Sequence, residues 1–106
     1  MGIAEDLAYG LNACPVPEYM HEPLRRYVIN HLPVGSFLTA VLSNDLLQAV
    51  NSADKQNSKA LVNWVRLVYN YLPSKCSGSP QAVNEWLQKV STNEKRRTDH
   101  NFTPPT

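Results

Sequence analysis

Three clusters in this chain have side chains suited to chemistry. Arg26 and Tyr27 stand side by side, a guanidinium that can clamp a phosphate or carboxylate and a ring that can stack on a base. Asn44 and Asp45 form the second, an amide and a carboxylate able to read a base edge or a ribose hydroxyl. The third runs from Tyr69 to Ser79 and carries Tyr69, Asn70, Lys75, Ser77 and Ser79. It joins the end of one predicted helix to the start of another, where free backbone N–H groups favour anions. Each cluster also has a plain structural reading. Arg25 and Arg26 suit a solvated face, Tyr27 a core, Asp45 a helix cap, and residues 73–80 a capped turn.

Other chemistries are disfavoured. The glycines, Gly2, Gly10, Gly35 and Gly78, never cluster into a phosphate-cradling loop. Cys14, Cys76, His21, His31 and His100 show no metal-ligand spacing, so neither metal nor cofactor is expected. Cys76 with a histidine, or Asp45 as a lone acid, are the weak enzymatic options, and a non-enzymatic role is expected. Residues 34–53 hold no Arg or Lys but do hold Asp45, which argues against a DNA-reading helix-turn-helix.

The elements that must position these groups are helical. Ile3 to Tyr9 reads as a short helix stopped by Gly10, with an extended connector to Pro17. A second helix runs from about Pro23 to Leu32, with Leu24, Tyr27, Val28 and His31 on one face, and is ended by Pro33. Residues 36–51 read as two short helices broken at Asn44–Asp45, the first capped by Ser36 and the second by Ser43 or Asn44. The strongest periodicity is Leu61, Trp64, Val65, Val68, Tyr69 and Leu72, a single stripe on a helix from about Asp54 to Pro73. Ser79–Pro80 opens a last helix burying Val83, Trp86, Leu87 and Val90. Trp64 and Trp86 are expected in the core. The sum is an all-α compact bundle of five or six short helices, one domain over residues 1–90, with a mobile tail over 91–106.

Composition agrees with a small binding protein. The 106 residues carry a net charge of +1, too little to imply nucleic acid or membrane. Charged residues make up 18%, below the usual figure of about 25%, which makes self-association plausible. No apolar run approaches the 18 or more residues of a membrane span, and no secretory leader is visible. A cytoplasmic protein with free thiols at Cys14 and Cys76 is expected.

Two stretches carry a resemblance. Gly35-Ser36-Phe37-Leu38-Thr39-Ala40-Val41-Leu42-Ser43-Asn44-Asp45-Leu46, with Tyr69-Asn70 through Pro73, Cys76 and Gly78-Ser79-Pro80, resembles a group of small, uncharacterised helical proteins of bacteriophages and prophages. The resemblance spans roughly Arg25 to Val90. Members often carry Trp where this chain has Ser77. It implies a phage accessory protein of the host cytoplasm that counters host defence. Two modes follow: sequestering a nucleotide-derived immune signal, or binding a host defence protein directly. The ligand-binding candidates are Arg26, Tyr27, Asn44, Asp45, Tyr69, Asn70, Ser77 and Ser79. Tyr9, Tyr19 and Tyr71 are candidate anchors for a protein partner. Homo-oligomerisation fits both modes. A closed pocket with Arg and Asn converging points to a small ligand, and a flat Tyr/Leu patch to a protein.

Overall fold

The computed structural model describes residues 2–89; residue 1, Val90 and the segment 91–106 lie outside it, and with them the predicted tail. The described residues form an all-α bundle. Helix α1 spans Ile3–Ala13, α2 His21–Asn30, α3 Ser36–Leu42, α4 Leu46–Ser52, α5 Lys55–Lys59 and α6 Leu61–Tyr71. A seventh helix, α7, covers residues 80–89. Short 3-10 turns at Glu18–Met20 and Ser74–Cys76 precede α2 and α7. No helix is long and apolar enough to cross a membrane among the described residues.

The break at residues 43–45 occurs where the polar residues predicted it. Asn44 takes a left-handed backbone, φ 64°. Asp45 N–H bonds back to Ala40 O at 2.9 Å and Asn44 N–H to Val41 O at 3.2 Å, a Schellman closure of α3 built on asparagine. Asp45 then caps α4, accepting from Gln48 N–H at 3.2 Å. The caps differ from those predicted. Ser36 is already helical and Gly35 precedes it as cap; at α4 the cap is Asp45, since Asn44 is taken up by the left-handed turn.

The predicted helix over residues 54–72 is two helices. Asp54 caps α5 through Asn57 N–H at 2.7 Å, but the chain tightens at Ala60, whose N–H is shared by Gln56 O and Asn57 O at 3.2 Å each. The bend leaves Asn57 buried, its Oδ1 accepting the indole N–H of Trp64 at 2.9 Å. Here the single predicted stripe splits. Trp64, Leu67 and Leu72 are buried, Leu61 and Val68 half-buried, whereas Val65 and Tyr69 are 51% and 85% exposed. The face of α6 that meets α1 and α3 centres on Trp64 and Leu67, so Val65 and Tyr69 at the stripe's edge stay outside.

Gly10 is the second correction. It does not stop α1, which continues to Ala13. It is buried at the crossing with α6, where an added Cβ would lie 2.6 Å from Tyr71 Cβ and 2.7 Å from Leu67 Cδ1. Glycine here sets how closely two helices approach, as small residues do at tight crossings. The core around this crossing holds Leu7, Leu24, Tyr27, Val28, Leu38, Leu42, Trp64 and Leu67, with Phe37 edge-on to Trp64 at 5.8 Å. Trp86 and Val83 of α7 join it.

Two outcomes follow. Gly10→Ala gains about 1 kcal/mol of helix propensity, yet forces the crossing apart at a cost of about 1–3 kcal/mol; thermal denaturation should show a lower Tm. Asp54 also accepts a hydrogen bond from the Tyr19 hydroxyl, and this bond, aided by the Asn57 amide, holds its carboxyl below the usual value of 3.8. A depressed acid contributes stability above its unfolded pKa and loses it as pH falls through the folded one. Asp54→Asn should therefore flatten the fall of Tm with acidification below pH 3.8.

Candidate functional site

The sequence-predicted residues fall into three places. The first is a junction between the α3–α4 break and the loop before α7. Gly78 N–H donates to Leu42 O at 2.8 Å, which satisfies a terminal carbonyl of α3 and ties the 77–79 loop to the C-terminal end of that helix. Gly78 needs its φ of +115° to make this turn, a conformation that side chains disfavour. The junction thus gathers Asn44, Asp45, Ser77 and Ser79. Asp45 and Ser79 are both caps: Ser79 Oγ accepts from Ala82 N–H at 3.0 Å, as Asp45 does from Gln48. Asn44 is exposed and Ser77 half-buried.

Tyr27 anchors this junction from inside. It is fully buried, and its hydroxyl donates to Cys76 O at 2.7 Å. Burial, then the Cys76 thiol, raises its phenol pKa well above the usual 10.0. Its ring has no face open for stacking a base. Arg26, beside it in sequence, points outward instead and shares Glu22 with Arg25, at 3.4 and 2.9 Å. All three side chains are largely solvated, so these pairs contribute little to stability.

The third place is the far end of α6. Asn70 lines an open groove of about 450 Å³ with Asp6, Tyr9, Tyr71, Leu72 and Pro73. The rings of Tyr9 and Tyr71 stand 5.7 Å apart at 60°. Asp6 is the residue here that sequence reasoning missed, because nothing local in sequence pairs the first turn of α1 with the last turn of α6. A second open groove, about 540 Å³, lies along α7 between Lys75, Glu85 and Lys89.

Exposed apolar residues were also missed. On α4, Leu46, Leu47 and Val50 are 62%, 83% and 51% exposed, and Ala49 alone is buried. On α6, Val62, Val65 and Tyr69 run down one side at spacings of three and four, all exposed. Of the predicted anchors, Tyr9 and Tyr19 are exposed and Tyr71 is half-buried.

Among the described residues, no group of His, Cys, Asp and Glu could hold a metal ion. Cys14 and Cys76 are buried and unpaired. Burial pushes the Cys76 thiol up to about 12, against opposing hydrogen bonds from its own backbone and Ser77. His31 is engaged with Trp86 of α7: its Nδ1–H donates to Trp86 O at 2.9 Å. Comparison with protein-family models, curated proteins and solved structures finds no match to this chain.

A buried thiol held up to about 12 carries almost no thiolate near neutrality. Iodoacetamide at pH 8 should leave Cys76 unmodified in the folded protein and alkylate it fully in denaturant, read by mass spectrometry. The raised pKa also stabilises the fold below the unfolded value of 9.0, and that contribution should disappear as pH climbs toward 12.

Proposed function

We propose that this protein is a non-catalytic binding module that works by direct contact with another protein, in the manner of the phage accessory proteins its motifs resemble, where the target would belong to a host defence system. The observation that carries the reading is the outward aliphatic and aromatic surface of α4 and α6. Leu47 is 83% and Tyr69 85% exposed. Exposed apolar side chains grouped along a helix supply interaction surface, and tyrosine and large aliphatic side chains supply anchors at interfaces. Both grooves are open rather than enclosed, and neither brings Arg26 together with Asn44. Exposed aliphatic and tyrosine side chains outside such a pocket support a protein partner over a small ligand.

Capture of a nucleotide-derived immune signal is the second reading, supported by the junction that ties the 77–79 loop to the end of α3 that Asn44 closes. In one copy, the caps occupy Asp45 and Ser79, so such a ligand would need Asn44, Ser77 and groups from a second copy. Homo-oligomerisation therefore belongs with this reading more than with the first.

The two readings separate in a paired experiment. Leu47→Glu and Val65→Glu change exposed positions and should shift stability by no more than about 0.5 kcal/mol. Immobilised wild-type protein should retain a stoichiometric partner from a bacterial lysate. Each variant should lose at least tenfold in affinity for it, equivalent to about 1.4 kcal/mol. Calorimetry with cyclic and linear nucleotides should stay silent. Heat with a nucleotide, abolished by Asn44→Ala and untouched by Leu47→Glu, would establish the second reading in place of the first.

A further inference from the structure

The groove at the α1–α6 end has a chemistry of its own. Among the described residues lining it, Asp6 provides the only formal charge, and none is Lys, Arg or His. The Asp6 carboxylate makes no hydrogen bond or ion pair with any described residue, whereas its neighbour Glu5 closes the N-terminal capping box of α1 through Gly2 N–H at 3.0 Å. On the other wall α6 ends. Its last turn carries no basic residue, and Leu72 leaves it in extended conformation, so the terminal carbonyls present uncompensated negative partial charge. Between these walls lie the Tyr9 and Tyr71 rings, 67% exposed and half-buried, set at 60° to one another. Ile3, Leu72 and Pro73 add an apolar lining.

We infer that this groove binds a guanidinium group, presented either by an arginine side chain of a polypeptide or by a free guanidino compound. A carboxylate offers the planar fork a paired acceptor. Tyrosine faces attract cations within about 6 Å of the ring centroid and stack on the flat guanidinium. The helix end adds carbonyl acceptors of the same sign. Methylene carbons behind the head group have Ile3, Leu72 and Pro73 to lie against. A phosphate finds no cation here and meets Asp6. The site stands on the groove alone and is independent of the apolar surface of α4 and α6.

The test is a titration of the full-length protein with agmatine, followed by NMR on the ring resonances of Tyr9 and Tyr71. Saturable shifts are expected, weakening as sodium chloride is raised. Asp6→Asn should reduce affinity at least tenfold. Tyr9→Phe should retain binding and Tyr9→Ala lose it, which provides a second check at an exposed position should Asp6→Asn fold poorly. Gly-Arg-Gly against Gly-citrulline-Gly separates the sources: tighter binding by the arginine tripeptide than by agmatine assigns a chain-borne side chain, the reverse a free compound. Absence of saturation with agmatine, unchanged affinity in a folded Asp6→Asn protein, or equal shifts with citrulline peptide or adenosine would each overturn the inference.

Discussion

The fold depends on a buried relay of polar contacts centred on Tyr27. The Tyr27 hydroxyl donates to Cys76 O at 2.7 Å, its carbonyl accepts the indole N–H of Trp86 at 2.9 Å, and the Trp86 carbonyl in turn accepts from His31 at 2.9 Å. The chain between Tyr27 and Trp86 is thereby closed on itself at a single point. Leaving any of these groups unpaired in the interior would cost about 1–3 kcal/mol apiece, so the relay specifies one arrangement of α2, the 74–79 loop and α7. The His31 and Trp86 rings, 4.5 Å apart, cover it from outside, with Lys89 over the indole at 5.6 Å. The junction of Asn44 with residues 77–79 exists because this relay holds the loop where Gly78 can reach Leu42.

The relay and the helix caps also account for the environments of the residues whose types suggest chemistry. The Tyr27 hydroxyl donates to the Cys76 carbonyl, and Asp45 and Ser79 accept from the backbone N–H groups of Gln48 and Ala82. A phenol and a thiol raised by burial are in their neutral forms, suited to packing and hydrogen bonding rather than proton transfer. The groups left available are of another kind: amides, rings and aliphatic side chains on the outside.

Much of the architecture was legible because its signals are local. Asn44 and Asp45 disfavour helix interiors, and the chain breaks there; Asp54 and Ser79 have the cap residue's short acceptor, and both cap. Leu24, Tyr27 and Val28 share a helical face and all are buried. What escaped reading depends on which helix meets which. Gly10 looks like a stop from its neighbours in sequence and proves to be the contact point with α6, a fact only Tyr71 and Leu67 disclose. The stripe through Val65 and Tyr69 has correct periodicity, but period fixes a face and not its width, and the neighbours of α6 cover only part of it. The candidate site divides in the same way. Asn44 with Ser77 and Ser79 is joined by one backbone bond that no spacing encodes, and Asp6 enters beside Asn70 only through the α1–α6 crossing.

Helix α4 has its polarity nearly inverted, with one buried methyl group at Ala49 and three large aliphatic side chains facing water. Its seven residues rest on the Asp45 cap and on packing with α3. The exposed aliphatic surface of α4 is therefore held in place by a backbone cap and a neighbouring helix rather than by burial of its own large side chains.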